Sequence, residues 1–82
     1  MTDGVHVAVD LGASSGRIMA GRIGPGDAVD LVEVHRFPNG GVRVDDVLRW
    51  DALRIWSDVR AGLAPAASVA SGGVASVGVD TW

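Results

Sequence analysis

Short runs of β-branched residues, each closed by small or polar residues, set the rhythm of the first half of this chain. Val5-His6-Val7-Ala8-Val9 is such a run and stops at Asp10-Leu11-Gly12, which predicts a buried strand leading into a turn. Gly12-Ala13-Ser14-Ser15-Gly16 is the turn, and Arg17 to Ile23 has the pattern of a second strand. Gly24-Pro25-Gly26-Asp27 is a strong turn cluster. Ala28 to Phe37 supplies a third strand, with imperfect alternation around Leu31-Val32-Glu33-Val34. Three strands joined by short turns form an antiparallel meander. Pro38-Asn39-Gly40-Gly41 then breaks the chain, and the segment from Val42 to Trp50 predicts a small excursion or hairpin turning at Asp45-Asp46.

The pattern changes at Asp51, a plausible N-cap. Ala52, Ile55, Trp56, Val59 and Leu63 fall at i, i+3, i+4, i+7 and i+11, a single apolar stripe on a helix. Pro65 disfavours helical geometry at Ala64, so the helix is expected to end or kink there. Ala66 to Gly73 reads as a loose helix end or loop, and Ala75 to Asp80 as a fourth strand. A strand, a long connection with a helix and another strand make a crossover unit, whose strands are usually parallel. The expected fold is therefore α/β: an antiparallel three-strand meander plus a helix crossover to a parallel fourth strand. The outer side of that strand should be an unpaired edge.

Composition narrows the chemistry. Eighty-two residues suffice for one small core, and a domain of this size buries only about 60–65% of the surface its unfolded chain exposes. The formal net charge of −3 argues against nucleic acid as the main partner, since binding a phosphate backbone needs a basic footprint. All seven basic side chains are arginines, so a lysine-dependent P-loop is impossible. The absence of cysteine removes disulfides, zinc–thiolate sites and thiol catalysis. Met1 to Asp10 has neither the basic start of a signal peptide nor the length of a membrane span. Cytoplasmic residence without membrane association is the expectation.

Two segments share one pattern: Val7-Ala8-Val9-Asp10-Leu11-Gly12 and Val77-Gly78-Val79-Asp80-Thr81-Trp82. If the strands are parallel, Asp10 and Asp80 emerge at the same end of the sheet, where ligands of open α/β sheets gather. Each aspartate could equally cap its own strand. Gly12-Ala13-Ser14-Ser15-Gly16-Arg17 is the sharper signal. Small residues let phosphate oxygens approach the backbone, and the amides and serine hydroxyls are suitable donors. A plain Gly/Ser β-turn is the alternative, and Arg17 could supply charge or lie solvated on its strand. Beside phosphates, Asp10 would call for a bridging divalent cation, usually Mg²⁺. The Rossmann fingerprint fits poorly, because Gly12 and Gly16 precede a strand pattern. His6 and His35 lack a partner at metal-ligand spacing and read as structural, Trp50 and Trp56 as packing against the sheet, and Arg54–Asp58 as a solvated i,i+4 pair.

The stretch from Val7 to Arg17 closely resembles the start of the FGGY carbohydrate kinase family, in particular its branch that acts on L-rhamnulose. His35-Arg36-Phe37-Pro38-Asn39-Gly40, Leu48-Arg49-Trp50-Asp51 and Ser76-Val77-Gly78-Val79-Asp80-Thr81-Trp82 extend the likeness in register over nearly the whole chain. The resemblance implies a ribonuclease-H-like, actin-like ATPase fold, with two such domains flanking a cleft. It also implies Mg²⁺-dependent transfer of the γ-phosphate of ATP to the 1-hydroxyl of the ketose. By resemblance, Ala13, Ser14, Ser15, Gly16 and Arg17, entered through Gly12, form the phosphate-binding hairpin. Asp10 lies near the metal, and Asp80, Thr81 and Trp82 lie near the sugar. The family's general base and adenine pocket belong to a second domain. Residues 1–82 are thus expected to be an incomplete amino-terminal kinase domain, with no catalytic residue of its own and no turnover alone. Two other readings stay open: a different FGGY kinase, of xylulose, glycerol, gluconate or fuculose type, and a non-enzymatic nucleotide- or partner-binding module.

Overall fold

Alternation along the first strand decides which way the sheet faces. In β1 (Val5–Leu11), Val5, Val7 and Val9 are buried, while His6 and Ala8 are exposed. The computed structural model describes residues 4–70 and 72–82. Its further elements are β2 (Ser15–Ile23), a single 3-10 turn at Pro25–Asp27, β3 (Val29–Pro38), β4 (Val42–Val44), β5 (Val47–Arg49), α1 (Ala52–Ser68) and β6 (Val74–Thr81). The main sheet has the order β3-β2-β1-β6. β1 is antiparallel to β2, β2 antiparallel to β3, and β6 parallel to β1. The mixed α/β architecture expected from the pattern is the one observed; among the described residues β6 is one edge of the main sheet and β3 the other.

α1 lies over β2 and β3. The sheet contributes Val5, Val7, Val9, Ile18, Ala20 and Phe37 to the core, and α1 contributes Val59 and Ala66. Gly62 is the point of closest approach. A Cβ there would overlap Ile18 Cγ1 and lie 2.9 Å from His35 Cδ2. The helix therefore buries a stripe of Val59, Gly62 and Ala66, with Ile55 and Leu63 partly covered. Trp56, expected against the sheet, is 57% exposed. The small residues at 62 and 66 draw the helix in, which turns the larger Trp56 to the side.

The helix also runs past Pro65 instead of ending there. Proline has no N–H to donate and its ring crowds the carbonyl one turn back, but here the next turn is held by other contacts. Ala66 is fully buried, the Val69 N–H donates to the Pro65 carbonyl at 3.2 Å, and Ser68 Oγ donates to the Ala64 carbonyl at 3.2 Å. Arg22 Nη2, on β2, donates to the Val69 carbonyl. At the other end the Asp51 side chain accepts from the Arg54 N–H at 3.1 Å, as the N-cap reading requires. Ser71, within the stretch read as a loose helix end, lies outside the described residues.

The excursion is the hairpin β4–β5. Asp45 and Asp46 form its two-residue turn, with φ of 50° and 62°, the left-handed values that twist a tight hairpin in the right sense. The molecule is elongated: its axes extend 53 × 21 × 15 Å and its radius of gyration is 14.8 Å, against about 12 Å for a compact domain of this length. One helix covers part of one sheet face, and among the described residues no other element is packed on the main sheet.

Gly62→Ala tests the helix–sheet contact. Alanine is intrinsically the better helix former by about 1 kcal/mol. Overpacking against Ile18 and His35 should outweigh that gain and leave the variant about 1–2 kcal/mol less stable in urea unfolding.

Candidate functional site

Parallel pairing of β1 and β6 sets Asp10 beside Asp80 and Leu11 beside Thr81. Both aspartates stand at the carboxyl ends of their strands, on the face away from α1, because Val9 and Val79 occupy the helix side. Across the antiparallel pair, Asp10 is opposite Arg17, and Arg17 is opposite Arg36. One row thus crosses all four strands in the order acid, acid, base, base. Arg17 Nη2 donates to Asp10 Oδ2 at 2.8 Å. Arg17 is therefore neither free at the hairpin nor simply solvated: it neutralises the carboxylate beside it. Its Nε is buried with no partner among the described residues, a position where a donor ordinarily finds an acceptor.

The outer end of the row is a separate pair. Arg36 Nη2 and Nε donate to Glu33 Oε1 at 2.6 and 3.0 Å. The hydrogen bond from Arg36 holds the Glu33 carboxyl below its ordinary value, and the same bond raises Arg36.

The hairpin between β1 and β2 is clasped from outside. The Gly12 N–H donates to the Ser15 carbonyl at 2.9 Å, the Asn39 N–H to the Ser14 carbonyl at 3.0 Å, and Asn39 Nδ2 to the Gly12 carbonyl at 2.8 Å. Carbonyls of the loop are thereby engaged with Asn39. The Ala13 and Ser14 amides and both serine hydroxyls have no acceptor among the described residues, and Ala13 and Ser14 are exposed. Asn39 was legible only as part of a turn cluster; nothing in its local sequence says that it reaches back to Gly12. Gly16 has a structural duty, since the Phe37 ring occupies the space a Cβ would need. It is buried under that ring, so its amide and Cα belong to the sheet more than to the loop's open surface.

Thr81 and Trp82 stand at the other side of the same sheet end. The Trp82 ring lies 4.2 Å from Trp50, tilted by 41°. Trp50 thus packs on another tryptophan, while His35 packs on Phe37 beneath α1 with its Nε2 buried and unpartnered among the described residues. His6 Nδ1 and Ser76 Oγ are hydrogen-bonded at 2.6 Å across β1 and β6. Arg54 and Asp58 form their helical pair at 3.9 Å. Among the described residues there is no cluster of three or more His, Cys, Asp or Glu side chains fit for a metal, and no helix is long and apolar enough to cross a membrane.

Sequence comparison supplies what this geometry lacks. The chain is 44% identical over 79 residues to the rhamnulokinase of Klebsiella pneumoniae subsp. pneumoniae, a match covering 93% of this chain. It is 39% identical over 77 residues to that of Oceanobacillus iheyensis and 37% identical over 78 to that of Bacillus subtilis, covering 94% and 95%. This chain is related to the rhamnulokinases. It spans about 16% of the length of these rhamnulokinase relatives. No family model matches it.

Two expectations follow. A double-mutant cycle with Asp10→Asn and Arg17→Met should give a coupling of about 0.2–1 kcal/mol in urea unfolding, because both side chains are more than a third exposed. The Glu33–Arg36 pair should make stability depend on pH only on the acid side, where its contribution is lost. Glu33's lowered folded-state value makes its contribution complete above the ordinary carboxylate range and lost as pH falls through the lowered value. Glu33→Gln should therefore flatten the fall of Tm between about pH 5 and 3.

Proposed function

We propose that this chain is the nucleotide-phosphate end of a rhamnulokinase-type sugar kinase. In that reading the whole enzyme transfers the γ-phosphate of ATP to the 1-hydroxyl of L-rhamnulose, in the cytoplasm. Residues 1–82 are the amino-terminal part of its first, ribonuclease-H-like domain. The observation that carries the reading is the hairpin tip: Ala13 and Ser14 amides and two serine hydroxyls without acceptors among the described residues, next to Asp10 and Arg17. Such convergent donors beside a carboxylate suit phosphate oxygens and a divalent cation.

The residues suit a nucleotide's phosphates and a divalent cation in kind. Ala13, Ser14 and Ser15 would donate to phosphate oxygens, with Gly12 and Gly16 fixing the two ends of the loop. Arg17, through its 2.8 Å ion pair, would hold Asp10 in place. Asp10, with Asp80 beside it in register, would hold the cation; Mg²⁺ is commonly held by one or two carboxylates together with substrate phosphates and water. When bound, Mg²⁺ offsets charge on the phosphates undergoing transfer. Asp80, Thr81 and Trp82 border the sugar. The general base and the adenine pocket are placed in a second domain, outside these residues. A rhamnulokinase is favoured over other FGGY kinases because the relatives reported above bear that name along nearly the whole match.

The test is a chimera in which these residues replace the matching segment of a rhamnulokinase. It should phosphorylate L-rhamnulose with ATP, whereas the isolated chain should give no phosphate transfer above a no-protein blank. Asp10→Asn in the chimera should lower kcat by about a hundredfold or more, the scale of losing several kcal/mol of charge stabilisation. A folded chimera that binds no nucleotide and phosphorylates no ketose would overturn the proposal, and turnover by the isolated chain would overturn the division of labour.

A further inference from the structure

A phosphate can rest on the loop between β1 and β2 only if backbone donors, not carbonyl oxygens, face it. The carbonyls of Gly12, Ser14 and Ser15 each accept a hydrogen bond from within the protein. The Gly12 N–H takes the Ser15 carbonyl, and Asn39 takes the other two: its N–H donates to Ser14 and its Nδ2 to Gly12. A carbonyl oxygen only accepts, so the side-chain atom of Asn39 that faces Gly12 is the amide nitrogen.

The end of β3 explains why this residue makes the clasp. Pro38 stands opposite Ser15 in register and has no N–H, so the first donor beyond the strand is that of Asn39. The Asn39 side chain is half-buried and borders an open hollow of about 220 Å³ shared with Gly40, Gly41, Asp51 and Arg54. Hydrogen bonding, more than packing, therefore decides where it sits.

The bond to Gly12 has a second effect. In a planar trans peptide the carbonyl and the following N–H point in opposite directions. Holding the Gly12 carbonyl on Asn39 thus aims the Ala13 N–H away from Asn39, on the side of the loop where Ala13 is exposed. Glycine at position 12 makes that peptide unit easy to turn over once it is released. Turned over, it would set a carbonyl oxygen where the donor had been.

We propose that Asn39 is a positioning residue for the phosphates of the nucleotide: its Nδ2 locks the Gly12–Ala13 peptide with the Ala13 N–H outward. The proposal rests on the kinase reading above. Asn39 itself need not touch the nucleotide. It acts through the hairpin, by keeping a donor and not an acceptor opposite the negative charge.

The chimera carrying these residues tests it by binding as well as by turnover. Titration calorimetry with ADP and Mg²⁺ should show about tenfold weaker affinity for Asn39→Ala, the scale of one hydrogen bond lost and an acceptor misplaced. KM for ATP should rise with it. KM for L-rhamnulose should move by less than about twofold, because Asn39 follows β3 and Thr81 lies in β6, the opposite edge of the sheet. Asn39→Gln retains an amide donor and should bind ADP more tightly than Asn39→Ala. Gly62→Ala, which loosens the helix–sheet contact instead, should leave ADP affinity unchanged. Where the alanine variant does not fold, Asn39→Ser gives the same reading, its hydroxyl being one atom short of the amide nitrogen. Unaltered ADP affinity in a folded Asn39→Ala chimera that phosphorylates L-rhamnulose overturns the proposal and leaves the kinase reading standing. An equal loss of affinity in Gly62→Ala, or an equal rise in both KM values, makes the role of Asn39 structural and overturns the proposal too. A wild-type chimera that binds no ADP and phosphorylates no ketose removes the kinase reading, and this inference with it.

Discussion

The parallel pairing of β1 with β6 ties the two ends of the chain together, and the rest of the molecule depends on it. β1 then has neighbours on both sides, β2 and β6. Its inward valines become the floor of the core, and its outward residues form a row beside those of β6. The same pairing brings Asp10 level with Asp80, although seventy positions separate them in sequence. The helix is the consequence of that geometry as much as its support. Two parallel strands in one sheet need a crossover between them, and α1 is the rigid part of that crossover.

The sheet divides labour between its faces. Toward α1 it presents Val5, Val7, Val9, Ile18 and Phe37, closely packed because Gly62 lets the helix backbone approach. Away from α1 it presents a row of charge, acidic over β6 and β1 and basic over β2 and β3. Arg17 joins the two halves: one guanidinium nitrogen meets Asp10, and another is buried without an acceptor among the described residues. The neighbouring hairpin is held by Asn39 from the end of β3, so that its free donors are carried on an anchored loop.

Much of this order could be read from local pattern. The strand runs, the N-cap at Asp51, the tight turn at Asp45-Asp46 and the crossover to a parallel last strand each rest on contacts a few residues long or on a general rule of connection. What escaped had its cause elsewhere in the chain. The helix outlasts Pro65 because Ala66 is buried and the carbonyls of Ala64, Pro65 and Val69 accept from Ser68, Val69 and Arg22 in turn. Trp56 leaves the sheet because small residues at 62 and 66, not large ones, mark the contacting face. Gly16 resembles a phosphate-loop glycine in sequence, yet its small size serves Phe37, a residue from another strand. The hairpin itself was legible as a cluster of donors; that its carbonyls are occupied by Asn39 was not.

By itself the sequence determined the type and order of the elements, the mixed sheet, and the candidate loop and carboxylates, because periodicity, capping and turn chemistry act over a few neighbouring residues. It also carried the kinship with the rhamnulokinases, since that resides in residue identity along the chain. Only the tertiary structure decided which face of α1 is buried, that Arg17 pairs with Asp10, and that Asn39 clasps the hairpin. These depend on which side chains meet across strands and between helix and sheet, and such meetings are set by packing distance and register.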